Sequence, residues 1–120
     1  MFWEEIARPC FPLTCSVMPI YEAWSFPGPV IATNFSTASK LIKMPGPSRK
    51  LYYVVDLEWV GRGQPFEQYQ AVYGNPNLTL IARGETHKKI LENCWNRKVP
   101  FVCPTFSIDK MMELLREIEQ

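Results

Sequence analysis

The 120-residue sequence has a single histidine, His87, and none of its four cysteines forms a Cys-x-x-Cys pair. Structural zinc sites draw four ligands from closely spaced pairs, so Cys10, Cys15, Cys94 and Cys103 with one distant histidine give no expectation of a metal. Cys94 and Cys103 fall inside apolar periodic segments, where free thiols behave as small buried hydrophobes. Glycine-rich phosphate loops are also missing: Gly61-Arg62-Gly63 lacks the third glycine and precedes no strong helical pattern, which argues against dinucleotide binding. No Gly-x-Ser-x-Gly occurs, and no cysteine has a histidine at a recognisable spacing, so hydrolase chemistry has no support. No cofactor is expected. Charge of either sign is scarce in excess, the formal net charge being +1, so no large field draws the chain to nucleic acid or to an anionic membrane. No run approaches the ~20 apolar residues that span a bilayer. The opening Met1-Phe-Trp-Glu-Glu-Ile-Ala-Arg8 is not a basic n-region followed by an apolar run. A reducing cytoplasm is the expected setting.

What is present is ordinary globular composition, 47% apolar and 21% charged, with eleven prolines, seven phenylalanines and four tryptophans. This length suits one domain with one core. Residues 1–28 read as an irregular, proline- and aromatic-rich segment, with a short strand over 13–18 bounded by Pro19 and a helical turn over 20–24. Residues 29–120 are regular. Strands are expected at 30–33, 50–56, 78–82 and 99–103, where β-branched and aromatic residues run with few breaks. Helices are expected from Asn34 or Thr33 through Ile42, through Phe66, Tyr69, Val72 and Tyr73, over 85–95, and after Ser107. The apolar stripe of the third helix is Ile90, Leu91, Cys94 and Trp95. That of the last is Ile108, Met111, Met112, Leu115 and Ile118. Four strand–helix alternations predict a mainly parallel sheet of four to five strands joined by right-handed crossovers, an α/β, three-layer Rossmann-like sandwich.

Ligands of open parallel sheets lie beyond the carboxyl ends of the strands. That rule selects Thr33-Asn34, Asp56-Leu57-Glu58-Trp59, Arg83-Gly84-Glu85-Thr86-His87 and Pro104-Thr105-Phe106-Ser107, all on one sheet edge. Asp56 and Glu58, two residues apart, point the same way if the strand continues. Carboxylates accept hydrogen bonds from hydroxyls, and the Trp59 indole can stack on a sugar ring. One of the pair is then a candidate general base. In the plainer reading Asp56 caps a loop and Glu58 is solvated. His87 falls in the first turn of a helix, where neutral imidazole is favoured. It is either a base or donor to a ligand, or a half-buried residue four positions before Leu91. Arg83 and the free N–H groups of that helix start can receive an anion.

The stretch from Pro29 to about Leu115 resembles part of the N-terminal, acceptor-side domain of GT-B glycosyltransferases. The similarity is nearest to the rhamnosyltransferase-like branch and to related proteins predicted in large tailed phages. The segments that carry it are Tyr53-Val-Val-Asp56-Leu-Glu58, Ala71-Val-Tyr73, Leu80-Ile-Ala-Arg-Gly-Glu-Thr-His-Lys-Lys-Ile-Leu91 and Val99-Pro-Phe-Val-Cys-Pro-Thr105. Val55 replaces the glutamine common in that family, and Gly84 replaces a helix-capping serine. The resemblance implies a half-domain that binds a sugar or nucleotide-sugar through Thr33, Asn34, Trp59, Arg83, Glu85 and Thr105, with Asp56, Glu58 and His87 as catalytic candidates. A second, donor-binding domain is not expected from the residues that follow, which implies a partner chain or a homo-oligomer. The alternative expectation is a non-catalytic interaction module, phage-encoded as the resemblance suggests, that binds a protein through Phe2, Trp3, Phe11, Tyr21 and Trp24.

Overall fold

Alternating runs of strand-forming residues and helical stripes become the elements their periodicity predicts. The computed structural model describes residues 2–3, 18–55, 57, 66–104 and 108–119. A two-residue parallel pair, β1 (Phe2–Trp3) and β2 (Met18–Pro19), precedes a 3-10 helix over Ile20–Ser25. The regular part follows as β3 (Val30–Ala32), α1 (Phe35–Ile42), β4 (Lys50–Tyr53), α2 (Phe66–Tyr73), β5 (Thr79–Ala82), α3 (Glu85–Trp95), β6 (Phe101–Val102) and α4 (Ile108–Glu119).

The four longer-range strands form one parallel sheet in the order β3-β4-β5-β6. Each strand therefore lies beside its predecessor. Crossovers between parallel strands are right-handed in about 98% of cases, and a sheet that always advances in one direction sends every such crossover to the same face. The packing agrees. Ala38 and Leu41 of α1, Tyr69, Val72 and Tyr73 of α2, and Leu91 and Trp95 of α3 share one buried cluster with Ala32, Tyr52, Leu80 and Ala82 of the sheet. Helix α4 is not a crossover, and it takes the other face: Met111 and Leu114 pack with Leu51, Tyr53 and Ile81. The sandwich has three layers, as the sequence predicts, with three helices on one side and one on the other.

Strand lengths differ from expectation for local reasons. The last strand covers only Phe101–Val102 rather than 99–103; Pro100 has no N–H to give. Even so, the Cys103 N–H reaches the Ala82 carbonyl at 2.8 Å. Strand β4 ends at Tyr53, although Val54 N still donates to the Ile81 carbonyl at 3.0 Å. The strand expected over 13–18 lies mostly outside the described residues. Pro19, expected to bound it, instead pairs with Trp3 as the last residue of β2, a terminal position where its missing donor interrupts nothing.

Two helical stripes also need correction. Cys94 is exposed, not a buried small hydrophobe, and Met112 is 47% exposed. Among the described residues of α4, Met111, Leu114 and Leu115 face inward and lie within one face at 100° per residue, whereas Met112 is turned 100° from Met111; the side chains of Ile108 and Ile118 lie outside the described ones. Cys103 is buried as expected.

Helix ends are closed by named side chains. Asn34 caps α1: its Oδ1 accepts from Thr37 N at 2.9 Å. The far end of α1 receives Lys50 Nζ on the Ile42 carbonyl at 2.8 Å, a cation where the helix dipole favours one. Helix α3 stops at Asn96, whose φ of 49° is left-handed, a conformation asparagine tolerates better than most residues. Immediately after it, the Arg97 guanidinium donates to three carbonyls, Tyr73 and Asn75 through Nη1 and Leu78 through Nη2, at 2.7–2.9 Å. Burial pulls this guanidinium down from its ordinary pKa. Elsewhere, a Cβ on Gly46 would lie 2.4 Å from the Trp24 carbonyl oxygen, so the loop after α1 can approach the 3-10 helix only with glycine there. Among the described residues no helix is long and apolar enough to cross a membrane.

Candidate functional site

The carboxyl ends of β3, β4, β5 and β6 share one edge because all four strands are parallel. Between β5 and β6 the following helices part. Helix α3 leaves for the face covered by α1 and α2, and α4 leaves for the opposite face. In open parallel sheets, ligands are commonly held where neighbouring connections diverge to opposite faces in this way. Arg83, Gly84 and Glu85 follow β5 on this edge, and Cys103 and Pro104 follow β6.

The arginine is exposed, as is Glu85 at the first position of α3. A carboxylate at that position complements the helix dipole and competes with any incoming anion. Gly84 occupies the N-cap with extended backbone, has no side chain to close the first turn, and has open space where a Cβ would stand. His87 is half-buried, and its Nδ1 accepts from the Arg83 backbone N–H over a long 3.4 Å. An acceptor Nδ1 puts the imidazole proton on Nε2. One imidazole nitrogen is thus directed at the chain's own backbone.

Tyr53 is a residue the sequence reasoning did not select. From the end of β4 its hydroxyl donates to the Cys103 carbonyl at 2.9 Å, passing over β5 to reach β6 on the α4 side of the sheet. Burial pushes the Tyr53 phenol up from its ordinary pKa; nearby Cys103 adds to the rise and Arg83 partly offsets it. Tyr53, Arg83 and Cys103 thus meet electrostatically at the β5–β6 edge. The available signal was alternation: in Leu51-Tyr52-Tyr53-Val54, the odd residues face α4 and the even ones face the other three helices.

At the β3 end, Thr33 and Asn34 are both exposed, and the Asn34 Oδ1 is engaged by Thr37 as a helix cap. Asp56, Glu58, Trp59 and Thr105 lie outside the described residues, so the expected carboxylate pair and its aromatic neighbour have no geometry here. The described residues contain no group of three or more His, Cys, Asp or Glu placed to hold a metal ion. In comparisons with known proteins, no family model, curated protein or solved structure matches the chain.

The Tyr53 contact has a measurable pH signature. The unfolded chain releases the phenol proton near pH 10, while the folded chain holds it to higher pH. The folded-state pKa is raised, so Tyr53 contributes stability in full below pH 10 and loses it as pH rises through the folded value. Tyr53→Phe is expected to cost about 1 kcal/mol at neutral pH through the lost hydrogen bond. Denaturant melts across alkaline pH should show the gap between the two proteins narrowing above pH 10. A gap that stays constant there would mean that Tyr53 titrates alike in both states.

Proposed function

We propose that the chain binds a sugar or nucleotide-sugar at the carboxyl edge of its sheet, as a glycosyltransferase-like half-domain that works with a partner chain or a second copy. The observation carrying this reading is the divergence of α3 and α4 from adjacent strands, with an exposed Arg83 at the end of one of them. An exposed guanidinium and an open helix start suit the diphosphate of a nucleotide-sugar. Asp56, Glu58 and Trp59 follow β4 in sequence, and are proposed to accept hydrogen bonds from sugar hydroxyls and to stack on the ring. His87 is proposed to act on the same ligand, as a base or as a hydrogen-bond donor.

The test is calorimetric titration with a panel of nucleotide-sugars. Arg83→Gln should weaken binding of the active compound about tenfold, the equivalent of one charge-assisted hydrogen bond, and leave the melting temperature nearly unchanged. Asp56→Asn with Glu58→Gln should remove the dependence on the sugar while nucleotide affinity persists. Binding that ignores both changes would reject this site.

A second reading has its own support. Met18, Tyr21, Trp24 and Phe26 are exposed within one short segment, Tyr21 at 66%, and concentrated exposed aromatics mark protein contacts. That segment is proposed as a protein-binding face if no nucleotide-sugar binds.

A further inference from the structure

A concavity lies at the opposite edge of the sheet, where α2 and α3 end. It is an open groove of about 470 Å³, within the roughly 300–1,000 Å³ typical of small-molecule sites. Gln70, Gly74 and Asn75 from the end of α2 face Cys94, Trp95 and Asn96 from the end of α3, and among the described residues no charged side chain lines it. Three carboxamides thus border one space, and a carboxamide both donates and accepts.

The walls are held in place. Asn75 is fixed twice, its carbonyl accepting from Arg97 and its Oδ1 accepting from Asn77 N at 2.9 Å. Trp95 is stacked on Tyr73 with ring centroids 5.1 Å apart and planes 13° from parallel. Asn96 is set by its left-handed backbone. Gly74 lies against the last turn of α2, where a Cβ would meet the Gln70 carbonyl at 2.8 Å. The rim is amide, and Trp95 behind it is 8% exposed. Without a charged partner, phosphate, carboxylate and ammonium ligands have nothing to neutralise them. A hydroxyl, by contrast, is matched by a carboxamide in both of its hydrogen-bonding roles.

We infer that the groove between the C-terminal ends of α2 and α3 is a binding site for a neutral, hydroxyl-rich small molecule of the saccharide class. The site does not depend on the function proposed for the carboxyl edge, because it lies at the other end of the strands and uses none of the same residues.

Amide and indole resonances of the full chain, followed by NMR during titration with glucose, maltose and N-acetylglucosamine, test this directly. At least one sugar should shift the side-chain amides of Gln70 and Asn96 and the Trp95 indole saturably, while phosphate and ammonium ions leave them in place. A double variant, Gln70→Ala with Asn96→Gly, keeps the fold, since alanine suits an exposed helical position and glycine suits a left-handed helix end. It should weaken that binding about tenfold or more, as expected for two lost hydrogen bonds. Absence of any saturable shift overturns the inference, as does binding unchanged in the folded double variant. Shifts confined to Arg83 and Glu85 would also overturn it and would assign the sugar to the carboxyl edge.

Discussion

Ile81→Asp should leave no cooperatively folded protein. Ile81 has no solvent exposure and lies in β5, an interior strand, paired with Tyr53 on one side and Phe101 on the other. On the α4 face it belongs to the cluster of Leu51, Tyr53, Met111 and Leu114. Losing the side chain forfeits about 2–3 kcal/mol of apolar burial, and an unpaired carboxylate in its place costs several more. Together these terms consume most or all of the ~5–15 kcal/mol that keeps a domain of this size folded. Near-ultraviolet circular dichroism, which reports the packed tyrosines and tryptophans, should collapse, and the thermal transition should vanish. Ile81→Val should cost only about 1 kcal/mol and melt cooperatively. A soluble Ile81→Asp protein with an intact transition would contradict the placement of β5 inside the sheet.

Arg97→Met should be the most damaging change at a residue that is not part of the apolar core. The guanidinium is half-buried and satisfies the carbonyls of Tyr73, Asn75 and Leu78. Methionine keeps much of the aliphatic stem and removes all three donors. Hydrogen bonds to a charged group contribute about 1.5–3 kcal/mol each, but water reaches part of this site, so a total near 3 kcal/mol is expected. That corresponds to a fall in Tm of roughly 10 °C. Arg97→Lys should restore less than half of the loss, because a single ammonium cannot span three carbonyls as the planar fork does. A loss below about 1 kcal/mol for Arg97→Met would show that water replaces the guanidinium freely.

The helix over Glu85–Trp95 could be read from the sequence at both ends, since Leu91 and Trp95 fall at one helical face and Gly84 and Asn96 bracket it. The sheet could be read because Tyr52, Val54, Leu80 and Ile81 belong to short runs that no helical period explains. Arg97 escaped notice because its partners are backbone carbonyls contributed by the end of α2 and the turn after it, and carbonyls carry no signature in a sequence. The assignment of α4 to its own face was hidden for a related reason: it follows from strand order, which depends on pairing between distant residues. Asn34 shows the limit of site reading. Its position after a strand suits a ligand contact and a helix cap equally, and in the fold its Oδ1 is held by the backbone of Thr37.

The monotonic strand order also bears on how the protein is made. In the four-stranded sheet no strand must wait for a later one to be inserted between it and its neighbour, because each new strand adds to the strand synthesised just before it. Closure of long chain segments is what slows the folding of parallel sheets. Here that cost is divided into three successive closures, each around one helix. The sheet can therefore grow in the direction of translation as the chain leaves the ribosome, with β3 as its starting edge and β6 as the last to dock.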